Sequence, residues 1–122
     1  MQSHSLFYNM NQLQKLMDDV ATEWAIIPES YPEIAGKNSE QIFDFGVRHS
    51  ALHLAKSSGK IARYAEACDH GTAGDRAELK ETTIKLFLSV IRLAHLQGLS
   101  AEDVIALAPS FIYDGVSGVK VK

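Results

Sequence analysis

Residues 84–96 read IKLFLSVIRLAHL, and this stretch decides the fold. It is apolar on nearly every side of a helical wheel, with Leu86, Phe87, Leu88, Val90, Ile91, Leu93, Ala94 and Leu96. A helix of that kind is expected in the middle of a bundle, where neighbours cover it all round. Asp75, three residues before Glu78, spells a capping box at its start, and Gly98 is placed to follow its last turn. The expected helix runs from Asp75 to about Gln97, and the rest of the chain has to supply its neighbours.

Upstream, Asn38 stands three residues before Gln41, a second capping-box pattern. From Ser39 to about Asp69 there is no proline, and Val47, Ala51, Leu54, Ile61, Ala65 and Cys68 keep helical period. One long helix is expected there. Gly59 in its middle either weakens it or lets a neighbouring helix come close. Further upstream, Met10, Leu13, Met17, Val20 and Trp24 step by three and four, a first helix with Asn9 or Asn11 as its cap. Pro28, Pro32 and Gly36 break the stretch between these two helices. Downstream, Ser100 and Asp103 cap a short fourth helix that Pro109 is expected to follow. The reading is all-α: three main helices and a short fourth in one domain over residues 1–109. Residues 110–122 are expected to be a mobile tail or an arm that pairs with another subunit.

The 122 residues are 46% hydrophobic and 22% charged, the balance of an ordinary globular chain that folds without disulfides or metal. A net charge of −3 argues against general nucleic-acid binding. The single cysteine, Cys68, excludes an internal disulfide and fits a reducing compartment; its place on the apolar stripe makes it an expected core residue. Residues 1–10 have neither a basic nor an apolar leader region, and no apolar run approaches the ~20 residues of a membrane span. A cytoplasmic protein with no membrane partner is expected.

Function should show where polar residues interrupt the apolar pattern. On the second helix His49, His53, Lys56, Lys60 and Arg63 step by four, three, four and three, which places them on one face. On the third, Glu78, Thr82, Lys85, Ser89 and Arg92 draw a similar stripe. Facing each other, the two stripes build a polar groove with a cationic bias; facing water, they are only the solvated sides of amphipathic helices. His49 and His53 at i, i+4 have the spacing of a metal clamp, but two ligands are not a site and Lys56 repels a cation, so no metal is expected. Trp24 is expected in the core.

The segment Lys85 to Val104, KLFLSVIRLAHLQGLSAEDV, resembles the closing helix of the MazG-like, all-α nucleoside triphosphate pyrophosphohydrolases. In that superfamily an apolar helix ends in Ala-Asn-x-x-Gly-hydrophobic before a small acidic helix; here Ala94-His95-Leu96-Gln97-Gly98-Leu99 and Ser100 to Val104 take those places. Its Glu-Glu-x-Gly-Glu-Leu element is matched by Lys56-Ser57-Ser58-Gly59-Lys60-Ile61, and Asn11-Gln12-Leu13-Gln14 with Trp24 is similar to its first helix. The resemblance covers about residues 10–105 and implies a MazG-like bundle, commonly a homodimer or larger homo-oligomer.

For chemistry the pattern departs from the family. Its members hold Mg²⁺ on those glutamates and on a later Glu-x-x-Asp, where this chain has Lys56, Ser57, Lys60 and, in the aligned register, Thr82 and Lys85. A lysine ammonium cannot ligate Mg²⁺, which demands oxygen ligands. Glu66-x-x-Asp69 spells the second element but on the wrong helix. The resulting expectation is a chain that has lost the Mg-dependent reaction. It binds a nucleotide or another phosphorylated anion through Lys56, Lys60, Lys85, His49, His53, Arg63 and Arg92, with no cofactor. Two alternatives stand: an active pyrophosphohydrolase using Mg²⁺ on acids in a shifted register, such as Glu78 and Glu81, and a structural homo-oligomeric module whose stripes are surface.

Overall fold

Local signals at the helix ends set the frame of the molecule. In a computed structural model, which describes residues 2–113 and side chains from residue 10 onward, the four helices are α1 (Gln2–Glu23), α2 (Ser39–Asp69), α3 (Arg76–Leu96) and α4 (Ala101–Ile112). A single 3₁₀ turn, Pro32–Ile34, interrupts the α1–α2 connection. No strand occurs among the described residues, so the molecule is all-α.

Three helix starts follow the expected chemistry. At α2 the Asn38 side chain accepts from the Gln41 N–H at 2.8 Å, and the Asn38 N–H donates to Gln41 Oε1 at 3.0 Å. Ser100 and Asp103 make the same reciprocal pair at α4. Asp75 forms half of its box, accepting from the Glu78 N–H at 3.1 Å. Gly98 takes the positive φ of 75° that ends α3, a region that favours glycine.

Two boundaries differ from expectation. Helix α1 begins at Gln2 rather than at Asn9 or Asn11, because residues 2–10 contain no glycine or proline to stop it. Helix α4 runs through Pro109 to Ile112. The proline removes one N–H, and the carbonyl it strands, that of Ile105, belongs to an exposed residue that water can serve. Residues 110–112, expected in the tail, therefore extend α4. The rest of that proposed arm, residues 114–122, lies outside the described residues.

Helices α2 and α3 pack along each other, α1 crosses α3 and α4, and the 3₁₀ turn rests on α2. Two contacts fix this arrangement. Gly46 of α2 is buried where the Leu96 side chain of α3 comes in, so close that a Cβ there would meet Leu96 Cδ1 at 2.8 Å. The Ala101 N–H, an orphan donor at the start of α4, donates to Gln14 Oε1 of α1 at 2.8 Å. The close approach looked for at Gly59 is absent: nothing lies within 4 Å of where its Cβ would stand.

The core reverses the expected polarity of α3. Its buried residues are Thr82, Ser89 and Arg92, whereas Ile84, Phe87 and Val90 are 53%, 63% and 46% exposed. The apolar residues that are fully buried are Met17, Val20, Ile34 and Ala101 among the described residues. Helix α3 is thus not enclosed on all sides, because α1 and α2 cover only its polar flank. Cys68, expected in the core, is exposed: among the described residues only α3 and the 3₁₀ turn pack on α2, and they leave this position open.

Candidate functional site

The polar stripes of α2 and α3 meet beside the end of α1. His53, Lys56, Ser57 and Lys60 from α2 and Lys85 and Ser89 from α3 line one cleft of about 250 Å³, with Trp24 as its remaining wall. A second cleft of about 260 Å³ shares Trp24 and His53 with the first and adds Glu23, Ala25, Ser30, Tyr31 and Arg92. Trp24 stands here because α1 stops at Glu23, leaving the indole 36% exposed between the two clefts rather than in the core where it was expected.

Arg92 forms the floor of this region. It is buried to 4% exposure with its guanidinium carbon 5.3 Å from the centre of the Trp24 ring, a cation–π placement. Its Nη1 donates to the Trp24 carbonyl and to the Tyr31 hydroxyl, each over a long 3.4 Å, and its Nε is buried without a partner in the protein. No carboxylate is within ion-pair reach of it among the described residues. The Ser50 hydroxyl is likewise buried and unpartnered. A buried cation without an anion is costly, and it favours an arriving negative charge.

Next to Arg92, His49 and His53 form a pair with Nε2 atoms 3.1 Å apart, one ring donating to the other. Tyr31 meets His49 edge-on at 4.8 Å between centroids, and Phe45 stacks on it at 5.7 Å. Partial burial holds His49 below its ordinary value near 6.5, with Arg92 and then His53 adding to the depression against a small opposing effect of Glu33. His53 is lowered in the same way by burial, then Arg92, then Lys56.

Of the seven residues expected to bind an anion, His53, Lys56, Lys60 and Lys85 share one cleft and Arg92 lines the adjoining one. His49 reaches the site through His53. Arg63 does not join them: it lies on a separate open surface with Glu66, Asp69 and His70. Lys85 is also held by Glu81 at 2.8 Å, an exposed pair that lowers the Glu81 carboxyl through its hydrogen bond with Lys85. Trp24, Tyr31, Ser57 and Ser89 also line the clefts although the sequence reading had not chosen them as ligands. Ser89 did carry a signal, as a member of the polar stripe on the otherwise apolar α3. Trp24 carried none beyond its position before the loop.

Among the described residues, no three His, Cys, Asp or Glu side chains gather closely enough to hold a metal ion. Glu66 and Asp69 sit with Arg63, away from the cleft, and Glu81 is engaged by Lys85. Compared with protein-family models, with curated proteins and with solved structures, the chain matches nothing. Its function has to be argued from the site.

Proposed function

We propose that this is a MazG-like α-helical protein that binds a nucleotide or another phosphorylated small molecule in the basic cleft instead of carrying out Mg-dependent pyrophosphohydrolysis. One observation carries the reading: Lys56, Lys60 and Lys85 converge with His53 on a single cleft walled by Trp24. Three ammonium groups and the Ser57 and Ser89 hydroxyls suit phosphate oxygens, since donors that carry charge make the stronger hydrogen bonds. The adjoining cleft, between Trp24 and Tyr31, suits the organic part of the same ligand, which an aromatic wall can stack against. Buried Arg92 supplies a fixed positive field beneath both. The resemblance of residues 10–105 to the MazG-like enzymes supports the choice of a phosphorylated ligand.

The test is a thermal-shift series with inorganic pyrophosphate and nucleoside di- and triphosphates in EDTA. Ligand at about 100 times Kd stabilises the folded state by about 2.7 kcal/mol, which raises the midpoint by several degrees in a domain of this size. The rise should disappear in Lys56→Ala/Lys60→Ala. Absence of a shift with every phosphorylated ligand, or an undiminished shift in the double variant, would overturn the proposal. Pyrophosphate released from a nucleoside triphosphate when Mg²⁺ replaces EDTA would instead establish the active-enzyme alternative.

A further inference from the structure

Among the described residues Arg92 is the only charged side chain that is buried, and the chain leaves it poorly answered. Its Nη1 reaches the Trp24 carbonyl and the Tyr31 hydroxyl only at 3.4 Å, and its Nε has no partner. A guanidinium carries five donors in one plane, and burying it with weak or missing partners is costly. Arg92 nevertheless lines the cleft between Trp24 and Tyr31, where a ligand can supply what the protein does not.

The groups around that cleft restrict the kind of anion it takes. Trp24 lies over one face of the guanidinium, at 5.3 Å, which leaves the edge with its N–H donors for a ligand. A flat anion with two oxygens in one plane matches that fork. Charge counts in the same direction. His49 and His53, held below their ordinary value near 6.5 by burial and by Arg92, are neutral at pH 7.5 and add no positive charge. Arg92 is therefore the one cation of this cleft, with Glu23 on its lining and Glu33 near His49. A single fixed cation with carboxylates nearby suits a monoanion and disfavours a phosphate dianion.

The lysine cleft has a different charge. Lys85 is paired with Glu81 at 2.8 Å, and Lys56 and Lys60 bring two further ammonium groups. Two unneutralised cations match a phosphate monoester, which is close to dianionic at neutral pH. The two clefts share Trp24 and His53, so one molecule can lie across both.

We propose that the ligand is a phosphorylated carboxylic acid, with its phosphate on Lys56, Lys60 and Lys85 and its carboxylate on the Arg92 fork beside the Tyr31 hydroxyl. The inference rests on the phosphate reading of the lysine cleft and adds a second, chemically different anion site to it. Arg92 and Tyr31 then select an acid over the alcohol of the same skeleton, because a ligand without the carboxylate leaves the buried guanidinium unpaired.

Trp24 is the one tryptophan of the chain, so its fluorescence reports binding at both clefts. Titrations at pH 7.5 in EDTA compare two matched pairs: phosphoglycerate with glycerol phosphate, and the longer phosphogluconate with sorbitol phosphate. Within each pair a carboxylate replaces a hydroxymethyl group. In at least one pair the acid should bind roughly tenfold tighter or more, the worth of a hydrogen bond to a buried charge. In Arg92→Gln that ratio should fall to near one. In Lys56→Ala/Lys60→Ala both members should weaken while the ratio persists. Tyr31→Phe, which keeps Arg92, should lower the ratio severalfold and takes the place of Arg92→Gln if that variant does not fold. Equal affinities within both wild-type pairs overturn the inference and leave phosphate binding standing. A ratio unchanged in Arg92→Gln, or in Tyr31→Phe where it takes that place, overturns it too. Binding of none of the four compounds overturns it whether or not nucleotides bind, and the thermal-shift series decides the phosphate reading separately.

Discussion

His49 and His53 owe their state to what surrounds them rather than to each other alone. Arg92 approaches from α3, Lys56 from the next turn of α2 and Glu33 from the 3₁₀ turn, while Tyr31 and Phe45 close the sides of His49. Desolvation and nearby cations both disfavour the imidazolium, so both rings titrate lower in the folded chain than in the unfolded one. Between the folded values and about 6.5 the unfolded chain then binds more protons, and stability falls as pH falls through that window. Above about 6.5 this effect is absent. The melting midpoint should therefore drop between pH 7.5 and 5.5, and His49→Gln/His53→Gln should flatten the drop. Parallel curves for the two proteins would show that the pair does not cause it. A bound phosphate should oppose the same trend, because its charge favours the protonated rings.

At the scale of single helices, two glycines of α2 make opposite predictions. Gly59 is exposed, helical and surrounded by open space, so Gly59→Ala should add about 0.5–1 kcal/mol of stability by restricting the unfolded chain. Gly46 lies under Leu96, and Gly46→Ala should cost about 1–3 kcal/mol as that side chain and α3 move away. Denaturant unfolding of the two variants measures both signs at once, and equal stability of the two would show that Leu96 yields freely. Sequence patterns alone identify Gly59 as the unusual residue, since it follows two serines in the middle of a helix. They do not identify Gly46, because the approach of Leu96 depends on how α3 lies across α2. The same division holds elsewhere. The caps at Asn38, Asp75 and Ser100 were legible because each is settled within four residues. The inward side of α3 was not, since an apolar stretch such as IKLFLSVIRLAHL leaves open which flank its neighbours cover. Arg63 left the groove for a third reason. A stripe that repeats every 3.5 residues drifts about 20° per heptad around a straight helix, so two heptads after His49 it faces another surface.

The α2–α3 hairpin at the centre of the molecule has two unlike flanks, a cationic one under α1 and a more apolar one facing outward, where Lys80 and Arg76 lie beside Leu79 and Thr83. Both have to operate on a chain whose net charge is −3, so the cleft's attraction for anions is local and opposed by the surrounding field. Salt should therefore weaken that attraction. Attraction between an exposed cleft and a multiply charged phosphate is screened over about 10 Å at 0.1 M salt and about 3 Å at 1 M. Burial of apolar surface has no such dependence, and salts excluded from protein surfaces strengthen it. Raising sodium chloride from 50 to 500 mM should weaken binding of pyrophosphate or a nucleoside triphosphate severalfold, with the loss reduced in Lys56→Ala/Lys60→Ala. Titration calorimetry in the two buffers reads the response, and salt-independent ligand binding would place the ligand away from the lysines.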